Sequence, residues 1–346
     1  MSEANLRLIR DVAQLEEALS RPSPADVDFM RTLSGDVMVL GAGGKMGPSL
    51  AKLARRSATE SGVPRNILAV SRFSSQMARD DLETAGVQTF SGDLMTPGEV
   101  DRLPDCANVL YLAGRKFGSA GRPDLTWATN AVLPAWVAQR FKNSRIVAFS
   151  TGNVYPFSAV PSRGSRESDH PAPVGEYAQS CLARERVFEY YSRENDTPCV
   201  LLRLNYAVDL RYGVLSDIGR KVFANQPVDL GVPSFNVIWQ GDANSYALRA
   251  LGLCSCPPFA LNVTWAESLS VRAVAEYFAR RFQKPCRFQS VEGASALLSD
   301  ASLCFSVLGQ PTISSERLLE LQADWIESGG VALGKPTHFE VSDGKF

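Results

Sequence analysis

The sequence predicts an α/β protein with a doubly wound parallel sheet and a smaller α+β lobe at its C-terminal end. Short apolar runs, which are typical of buried strands, alternate with segments of helical periodicity up to about residue 205. The first run, 37–40, ends in a glycine-rich turn at 41–47, and an Ala- and Leu-rich segment typical of a helix follows at 48–54. A strand, a glycine turn and a helix in this order present backbone N–H groups and a helix dipole to a phosphate.

The glycine turn is the first candidate binding element. Gly41 permits the tight turn, Gly44 lets the backbone approach a pyrophosphate, and Gly47 lets the helix pack closely on the strand. The spacing is G-x-x-G-x-x-G, not the commoner G-x-G-x-x-G, and a purely structural turn is the alternative. We expect the turn to bind a dinucleotide through Gly41, Gly44, Lys45, Met46 and Gly47.

The chain divides into three predicted units. Residues 1–34 form an N-terminal helical extension, in which a first helix precedes an Arg-Pro-Ser-Pro break and a second short helix at 25–33. Residues 35–205 form a Rossmann-type dinucleotide-binding domain, and residues 206–346 form a substrate-binding lobe. The first helix is predicted from the helical spacing of Leu8, Val12, Leu15 and Leu19.

The same patterns predict the individual elements. A loop rich in Pro, Ser and Gly at 156–175 is typical of a segment that covers a site. In the dinucleotide-binding domain, further strands are expected at 67–70, 87–90, 108–114, 146–149 and 200–204, and helices after Thr96-Pro97, at 127–141 and at 177–191. In the lobe, helices are expected near 214–224, 241–253, 270–282 and 314–328, and strands near 237–239, 259–263 and 286–289.

Composition and charge exclude several classes of function. A net charge of −1 gives no strong field for nucleic acid or a membrane surface, and no apolar run has membrane-spanning length. The first residues lack the features of a signal peptide, and the seven scattered cysteines indicate reduced thiols in a cytoplasmic protein. Because His170 and His338 are the only histidines, we expect neither a catalytic histidine nor a metal site. The predicted partner is a small molecule.

The end of the second predicted strand bears on the choice of cofactor. Ser71 and Arg72 stand where a carboxylate would hold the ribose hydroxyls of NAD. A neutral residue followed by a cation leaves room and charge for a 2′-phosphate, so the sequence favours NADP over NAD; a solvated surface arginine is the alternative. Further cofactor contacts are predicted at Asp93, near the adenine ring, and at Ala113-Gly114, which are small enough for a dinucleotide to pass.

Together these residues resemble an extended short-chain dehydrogenase/reductase of the NAD(P)-dependent epimerase/dehydratase family, which includes nucleotide-sugar epimerases. The similarity runs from about residue 36 to residue 285. The resemblance implies that Tyr177 is the catalytic tyrosine and that Thr151, in the segment 150–155, is the catalytic Ser or Thr. The positions that match the family's cofactor side are Gly41, Gly44, Gly47, Asp93, Leu94, Ala113, Gly114, Lys116 and Asn130.

The family signature Tyr-x-x-x-Lys is broken, because Cys181 stands four residues after Tyr177. The lysine of that signature holds the nicotinamide ribose and lowers the tyrosine pKa by its charge, and a thiol does neither. Without compensation the rate is expected to fall by about 10²–10⁴-fold. Lys116 is the first candidate to supply the charge, ahead of Arg115 and Arg184. Cys181 itself is expected to be an inert helix cysteine.

A second departure concerns the substrate. Nucleotide-sugar enzymes usually carry an arginine that clamps the sugar diphosphate shortly before the strand at 237–239, and this chain has Val232-Pro233-Ser234-Phe235 there. Without that cation a nucleotide diphosphate is held less well. The residues expected to contact the substrate are Asn153, Asn205, Tyr206 and Arg211. Four aromatic residues could line a less charged pocket, with core packing as the alternative: Tyr206, Tyr212, Phe235 and Trp239.

The sequence therefore predicts an NAD(P)-dependent oxidoreductase that transfers a hydride at a carbinol or ketone carbon of a small sugar-like or polyol-like substrate. Tyr177 would be the acid/base, Thr151 would bond the substrate oxygen, and Lys116 would supply the missing charge. Three alternatives stay open: a nucleotide-sugar epimerase or dehydratase with an unusual site, a non-catalytic NADP(H)-binding sensor or scaffold, and cysteine chemistry at Cys181. The resemblance suggests a homodimer through the helices at 127–141 and 177–191.

Overall fold

The computed structural model of the protein describes residues 9–73, 75–116, 118–119, 121–335 and 337–344. Leu8, the first apolar residue of the predicted N-terminal helix, lies outside the described residues. The chain folds around one seven-stranded sheet, with helices on both faces and a lobe at the carboxyl ends of the strands.

The central sheet is parallel and doubly wound. Its strands, numbered by the order of all strands along the chain, are β1 (Val37–Leu40), β2 (Ile67–Ser71), β3 (Gln88–Ser91), β4 (Asn108–Tyr111), β5 (Arg145–Thr151), β7 (Cys199–Leu204) and β12 (Phe259–Val263). Their order in space is β12-β7-β5-β4-β1-β2-β3, and all neighbours are parallel. The strand order reverses between β1 and β4, which is where open α/β sheets bind ligands.

Helices cover the two faces of the sheet and form much of the lobe. A π-helical turn at Ala128–Val132 connects the fifth and sixth helices. Short 3-10 turns lie at Gly152–Val154 and Ala250–Leu253. The helices are α1 (Val12–Ser20), α2 (Pro24–Thr32), α3 (Gly47–Ser61), α4 (Gln76–Thr84), α5 (Pro123–Trp127), α6 (Leu133–Arg140), α7 (Gly175–Asn195), α8 (Val214–Phe223), α9 (Gln240–Arg249), α10 (Val271–Phe282), α11 (Ser302–Leu308) and α12 (Ser315–Glu327).

Alternate strand residues build a core on each face of the sheet. Val37 and Val39 of β1 pack with α3 and α9, whereas Met38 and Leu40 pack with α6 and α7. Because helices cover both faces, inner strands such as β1 are continuous apolar runs, whereas the edge strand β3 is largely polar. The predicted Rossmann-type doubly wound sheet is confirmed.

The N-terminal helices pack on both parts of the molecule. Leu15 and Leu19 of α1 are buried in the core of the lobe, whereas Met30 of α2 is buried in a core of the sheet. α2 begins at a capping box, in which the side chains of Ser23 and Asp26 each accept a hydrogen bond from the other's backbone N–H. The extension therefore contacts the sheet and the lobe together.

The C-terminal lobe has a core of its own, made by α8, α10 and α12. The strand predicted at 259–263 does not belong to this lobe, because as β12 it pairs with β7 and forms one edge of the central sheet. The division of the chain at residues 34 and 205 stays a prediction. Short strands pair around the lobe: β6 (Ser158–Ala159), β8 (Ala207–Val208), β9 (Val228–Asp229), β10 (Ser234–Phe235), β11 (Ile238–Trp239), β13 (Leu269–Ser270), β14 (Phe288–Gln289) and β15 (Ser295–Ala296).

A predicted helix between β3 and the cleft is wrong, and the predicted strand that follows it is shorter than the sequence indicated. The helix expected after Thr96-Pro97 is absent from residues 92–107, all of which are described and form turns and irregular chain. Gly98 has φ +82°, a left-handed conformation that interrupts a helix. The strand expected at 108–114 ends at Tyr111, so the following residues form a loop at the sheet edge. α4 and α11 were not predicted.

No helix in the described part of the chain combines the length and the apolar character that a membrane span requires. All seven cysteines are free thiols, and four of them are buried. The cytoplasmic location stays a prediction.

Candidate active site

A cleft opens between the carboxyl edge of the sheet and the lobe. It lies where the strand order reverses, and its volume is about 270 Å³. The glycine turn and the loops after β4, β5 and β7 form its walls on the sheet side. The predicted site residues that the structure brings together in this cleft are Gly41, Gly44, Lys45, Met46, Gly47, Lys116, Thr151, Asn153, Tyr177, Asn205 and Tyr206.

The glycine turn has a shape that suits a bound diphosphate. Gly41 has φ +89°, and a Cβ atom there would lie 2.7 Å from the backbone nitrogen of Ala113. A Cβ at Gly47 would lie 2.5 Å from the Cα of Ala42, so the close packing of α3 requires glycine. No side chain caps α3, whose N-cap residue is Met46, and the N–H groups of its first turn stay available for an anion. These residues fit the diphosphate of a dinucleotide.

The residues predicted for the adenosine end lie at the ends of β2 and β3, outside the lining of the cleft. A Cβ at Gly43 would lie 2.3 Å from Ser71 Oγ, so the end of β2 touches the glycine turn. The Arg72 side chain is 77% exposed, and its guanidinium lies 4.0 Å from the Asp93 carboxylate. Leu94 is buried. Arg72 and Asp93 therefore form an exposed polar pair beside the turn.

Gly114 and Asn130 fix the loop after β4, whereas the sequence placed both against the cofactor. The Asn130 side chain accepts a hydrogen bond from Arg115 N (2.8 Å) and donates one to Arg115 O (2.9 Å). It also donates to Ser180 Oγ and accepts from Arg184 Nη2, both on α7. A Cβ at Gly114 would lie 2.6 Å from Arg184 Nη2. The small residue at 114 thus admits the arginine, and the fully buried amide is engaged with protein groups.

Thr151 and Tyr177 meet in the cleft. Thr151 ends β5, and Tyr177 lies in the first turn of α7. Burial raises the pKa of Tyr177 above its usual value; the negative charge of Cys181 would raise it further, and Arg184 opposes the shift. The Tyr177 hydroxyl is within hydrogen-bonding reach of the side chains of Thr151 and Cys181. Thr151 Oγ1 also donates a hydrogen bond to Asn153 Oδ1 at 3.0 Å.

Cys181 has the surroundings of an inert thiol. It is fully buried in a small apolar cluster with Val154, and burial raises its pKa. A buried protonated thiol is a poor nucleophile. Arg184 lies one helical turn further along α7, and its Nη1 donates a hydrogen bond to Phe149 O at 2.8 Å. Position 181, where the resemblance predicts a lysine, therefore carries a buried thiol with an arginine next to it.

Lys116 reaches the tyrosine from the loop after β4. Its Nζ lies 5.8 Å from the centre of the Tyr177 ring and 6.0 Å from that of Tyr206. The same Nζ donates a hydrogen bond to Thr337 O at 3.4 Å. Burial lowers the pKa of Lys116 to about 8. Arg115, the second candidate cation of this loop, is not among the described residues that line the cleft.

Lys45 directs its side chain away from the glycine turn and towards the lobe. Its Nζ donates a hydrogen bond to Ala207 O at 2.7 Å and lies 4.0 Å from the centre of the Tyr212 ring. Burial lowers the pKa of Lys45 to about 7; Asp209 opposes this shift and Lys116 adds to it. The ammonium therefore lies at the wall of the cleft that faces the glycine turn.

Arg211 is not in the cleft, although the sequence placed it among the substrate contacts. Its guanidinium is bound to Glu16 at 2.6 Å and to Asp209 at 2.9 Å. These ion pairs join α1 to the lobe, so the structure assigns Arg211 to packing between elements. The other predicted substrate contacts do line the cleft: Asn153, Asn205 and Tyr206.

The segment 232–235, which replaces the expected arginine, is buried among apolar side chains. The Phe235 ring lies 6.0 Å from the Phe339 ring in the core of the lobe. Phe157, Phe235 and Phe339 lie so close to their neighbours that the gap between them has no room for a water molecule. Of the aromatic residues that the sequence offered for a pocket, Tyr206 and Tyr212 line the cleft, and Phe235 and Trp239 are core.

Thr337 is a cleft residue that sequence reasoning missed. It belongs to the C-terminal segment after α12, which returns to the cleft. Its N–H and its hydroxyl both donate hydrogen bonds to Asp217 of α8, at 2.8 Å and 2.6 Å. No motif signals this contact, because it joins residues far apart in the chain. Gly213, with φ +129°, also lines the cleft, and a glycine directly before a predicted helix was its available signal.

Residues 37–208 match the sequence model described as the NAD dependent epimerase/dehydratase family. No curated protein sequence is significantly similar to the chain. Among solved structures, MoeE5 in complex with UDP-glucose and NAD is 22% identical over 85% of this chain and 99% of its own, with a TM-score of 0.68.

Two epimerases of known structure are also similar. The UDP-glucuronic acid 4-epimerase from Bacillus cereus, in complex with UDP-glucuronic acid and NAD, is 17% identical over 84% of this chain and 99% of its own, with a TM-score of 0.70. The UDP-glucose 4-epimerase from Thermus thermophilus, in complex with NAD, is 19% identical over 84% of this chain and 99% of its own, with a TM-score of 0.67. At these identities the likeness shows the fold.

The segment that matches the family model contains the parts of the cleft that the resemblance singles out. The glycine turn lies near the start of this segment, and Thr151, Tyr177 and Cys181 lie further along it. The solved structures share the fold over the lobe as well. With residues 37–208 as its signature segment, the chain belongs to the NAD dependent epimerase/dehydratase family.

Proposed function

We propose that the protein is an NAD(P)-dependent oxidoreductase of the epimerase/dehydratase type, which transfers a hydride at a carbinol or ketone carbon of a small sugar-like or polyol-like substrate. The observation that carries this proposal is a single cleft that contains the glycine turn, Thr151 and the Tyr177 hydroxyl. Such a reaction needs a bound dinucleotide, an acid/base and a hydrogen-bonding partner for the same substrate oxygen.

NADP is the cofactor that we propose, with NAD as the alternative. Ser71 and Arg72 end β2, where a carboxylate would hold the ribose hydroxyls of NAD. The exposed Arg72 guanidinium lies 4.0 Å from the Asp93 carboxylate, so this ion pair is weak. The guanidinium can therefore turn to a 2′-phosphate with little loss of free energy. The solved structures of the three relatives contain NAD, which favours the alternative. A direct comparison of the two nucleotides is therefore required.

Tyr177 and Thr151 would act on the substrate oxygen. When bound, the nicotinamide dinucleotide accepts the hydride, with its two electrons, that a carbinol carbon loses as the carbinol oxygen loses its proton. Ionised Tyr177 takes up that proton and returns it in the reverse direction. Thr151 Oγ1 exchanges its hydrogen bond to Asn153 Oδ1 for one to the substrate oxygen, which it orients. Burial raises the pKa of Tyr177, so its ionised form needs a positive charge close by.

Two described cations lie close to Tyr177. Arg184 lowers the pKa of the tyrosine, but hydrogen bonds to Phe149 O and to Asn130 hold it beneath the cleft. Lys116 comes from a loop that lines the cleft, and its ammonium lies 5.8 Å from the centre of the tyrosine ring. We assign to Lys116 the electrostatic role of the lysine that the family carries at position 181.

The identity of a bound nucleotide tests the proposal. Purified protein is denatured, and NADP(H) and NAD(H) are quantified per chain. A stoichiometric nucleotide that does not exchange supports internal redox, as in an epimerase or dehydratase. An empty protein that binds NADPH reversibly supports a dehydrogenase or reductase. If neither nucleotide is retained or bound, the proposed function fails.

A non-catalytic NADP(H)-binding sensor or scaffold is the second candidate. The observation that favours it is the thiol of Cys181 at the lysine position, together with a Tyr177 whose pKa is raised. The sensor predicts tight NADPH binding without transfer of deuterium from labelled NADPH to any carbonyl compound. The enzyme predicts transfer, and Tyr177→Phe should abolish it while NADPH binding is kept.

We also propose that the protein is a homodimer. Val132, in the turn between α5 and α6, is 45% exposed, and Tyr190 of the adjacent α7 is 56% exposed. Apolar side chains exposed on two packed helices suit a self-complementary contact. Sedimentation velocity of the wild type and of Tyr190→Glu tests this. A dimer that the substitution dissociates supports it, and a monomeric wild type overturns it.

A further inference from the structure

Lys45 connects the two walls of the cleft. Its backbone belongs to the glycine turn, directly before the N-cap residue of α3, and the turn is exposed at Gly43 and Gly44. Its ammonium lies on the lobe side, where it donates a hydrogen bond to Ala207 O at 2.7 Å and lies 4.0 Å from the centre of the Tyr212 ring. Because one side chain spans this gap, the ammonium is no further from the turn than a lysine side chain can reach.

The first turn of α3 and the Lys45 ammonium can act on the same anion. Among the described residues no side chain caps α3, so the N–H groups of its first turn are available to a phosphate. Lys45 lines the same cleft as Gly44 and Gly47, and the residue stays partly exposed there. Lysine is a common phosphate ligand, since its ammonium is a point charge on a flexible stem. A diphosphate that lies against the helix end is therefore within reach of the ammonium.

The charged groups around Lys45 are engaged with one another or with the chain. The charges of Asp209 and Asp217 favour its ammonium form, and burial opposes it most strongly. The charges of Arg211 and Lys116 oppose it as well. Asp209 forms an ion pair with Arg211 at 2.9 Å, and Asp217 accepts two hydrogen bonds from the C-terminal segment. The sum of these effects lowers the pKa of Lys45 to about 7, and the negative charge of a bound phosphate would raise it again.

We propose that the Lys45 ammonium binds the diphosphate of the nicotinamide dinucleotide from the lobe side of the cleft, while the backbone of the glycine turn binds it from the other side. This inference rests on the proposed function and adds a side chain to the cofactor site. Because an ammonium has three N–H donors, Lys45 can keep its hydrogen bond to Ala207 O while it donates another to a phosphate oxygen. Where Lys45 is neutral in the free protein, binding of the cofactor takes up a proton.

Isothermal titration of the protein with NADP, NAD and ADP-ribose tests the contact. All three nucleotides contain the diphosphate, and ADP-ribose lacks the nicotinamide. Lys45→Met should weaken the binding of each by about tenfold or more, because a charge-assisted hydrogen bond is lost. Lys45→Arg keeps the charge and should keep most of the affinity. Lys142→Met, at an exposed lysine, is the matched control and should change none of the three affinities.

The uptake of protons distinguishes a phosphate contact from a purely structural role. Titrations in two buffers with different heats of ionisation give the number of protons bound with the nucleotide. At pH 8 the wild type should take up about one proton per NADP more than Lys45→Met, and at pH 6 the two should be equal. Lys45→Arg should bind without this uptake, because arginine stays charged. The difference between wild type and variant removes any proton that Lys116 takes up, since burial lowers the pKa of Lys116 to about 8.

The outcomes separate this inference from the proposed function. If wild type and Lys45→Met bind the nucleotides equally, the ammonium serves the lobe alone, and the inference is overturned while the proposed function stands. If Lys45→Met binds them more weakly but the wild type takes up no additional proton at pH 8, Lys45 acts by holding the lobe, and the phosphate contact is overturned. If NADP binds through Lys45 but no hydride is transferred, the contact stands and the oxidoreductase function falls. If no nucleotide binds to the wild type, both are overturned.

Discussion

The Lys116 ammonium lies 5.8 Å from the centre of the Tyr177 ring, although one residue follows β4 and the other lies in α7. The loop that carries Lys116 is fixed by Asn130, whose amide bonds both backbone groups of Arg115. The resemblance predicts a cation on the tyrosine's own helix, at the position that is Cys181 here. In this chain Lys116 brings a cation close to the same tyrosine from the loop after β4.

Replacing Lys116 with methionine should slow turnover by about 10–100-fold. Below about pH 8, where Lys116 is charged, loss of the ammonium should make the ionised tyrosine less stable, in addition to the rise in the pKa of Tyr177 that burial already causes. The limb of the pH–rate profile that reports ionisation of the tyrosine should therefore move to higher pH. Steady-state reduction of NADP by a polyol or sugar that the protein turns over measures both effects.

Lys116→Arg keeps the charge and should recover most of the rate, whereas the control Lys142→Met should leave rate and profile unchanged. A methionine variant with the rate and the pH profile of the wild type would remove Lys116 from the mechanism. A reduced rate with an unshifted profile would mean that Lys116 acts on binding and not on the tyrosine.

Restoring the family lysine with Cys181→Lys should destabilise the protein and not activate it. The Cys181 side chain is fully buried, and Arg184 already lies beside it. A second buried cation there has no described counter-charge of its own, and an unpaired buried charge typically costs about 2–5 kcal/mol. Denaturant unfolding of Cys181→Lys and of the small control Cys181→Ser measures the difference.

Only a small loss of stability is expected for Cys181→Ser. The argument is contradicted if Cys181→Lys unfolds at the same denaturant concentration as the wild type and binds NADP more tightly. That result would show that a lysine side chain at position 181 reaches the cofactor, and that the cysteine found there only removes this contact.

The fold was predictable because its signal is repeated along the chain. Apolar strands buried on both faces alternate with helices, so the succession of β1 to β5 and β7 along the chain follows from local patterns. The errors in the predicted elements arose where one residue interrupts a helical pattern, or where pairing between distant segments determines which strand joins the sheet. Gly98 turns a segment with a helix-like start into a series of turns, and β12 joins the sheet from a distant part of the chain.

The site was predictable where motifs are local. The glycine turn, Thr151 and Tyr177 are short patterns at strand and helix ends, and the structure brings them together. The directions of side chains were not predictable. The Lys45 side chain, for example, points away from the glycine turn, and its ammonium donates a hydrogen bond to Ala207 O in the lobe. Thr337 reaches the cleft only through tertiary folding, and no local pattern signals it.

Gly114→Ala should lower both stability and turnover, because a Cβ there would lie 2.6 Å from Arg184 Nη2. The arginine cannot move away cheaply, since it is buried and bonded to Phe149 O and Asn130. Loss of that arrangement should cost about 1–3 kcal/mol of unfolding free energy. Thermal or denaturant unfolding measures it.

Gly121→Ala is the control for this substitution, since a Cβ there meets its nearest described neighbour at 3.9 Å. It should unfold like the wild type. If Gly114→Ala is as stable and active as Gly121→Ala, Arg184 has room to move, and its fixed position is not important for the loop that carries Lys116.

Arg72→Ala should weaken NADP by about tenfold and leave NAD within about twofold, because a lost charge-assisted contact to the 2′-phosphate affects NADP alone. The Arg72 side chain is 77% exposed, so its removal should not alter the fold. Fluorescence titration with NADPH and NADH gives the two dissociation constants. Arg102→Ala, at another exposed arginine, is the control.

Equal losses for the two nucleotides would assign Arg72 to the adenosine and not to the phosphate. A wild type that prefers NADH, with no change in that preference after Arg72→Ala, would overturn the choice of NADP. It would also mean that this chain binds the same cofactor as the three solved relatives, whose complexes contain NAD.

Lys45→Met should make the protein without its substrate more stable near neutral pH. Burial lowers the pKa of Lys45 from 10.5 to about 7, so between these pH values the unfolded chain binds a proton that the folded protein has released. The free energy of unfolding therefore rises with pH across this window, and the buried ammonium destabilises the folded protein most below pH 7. Methionine removes that destabilisation.

At pH 6.5 the melting temperature of Lys45→Met should exceed that of the wild type by about 1–4 °C, and the difference should shrink towards pH 10. Differential scanning calorimetry at several pH values measures this, with Lys142→Met as the control that should follow the wild type. A lower melting temperature at every pH would mean that the bond to Ala207 O holds the lobe on the glycine turn. A stabilised variant would show instead that the buried ammonium lowers the stability of the fold, so that Lys45 is not retained for packing.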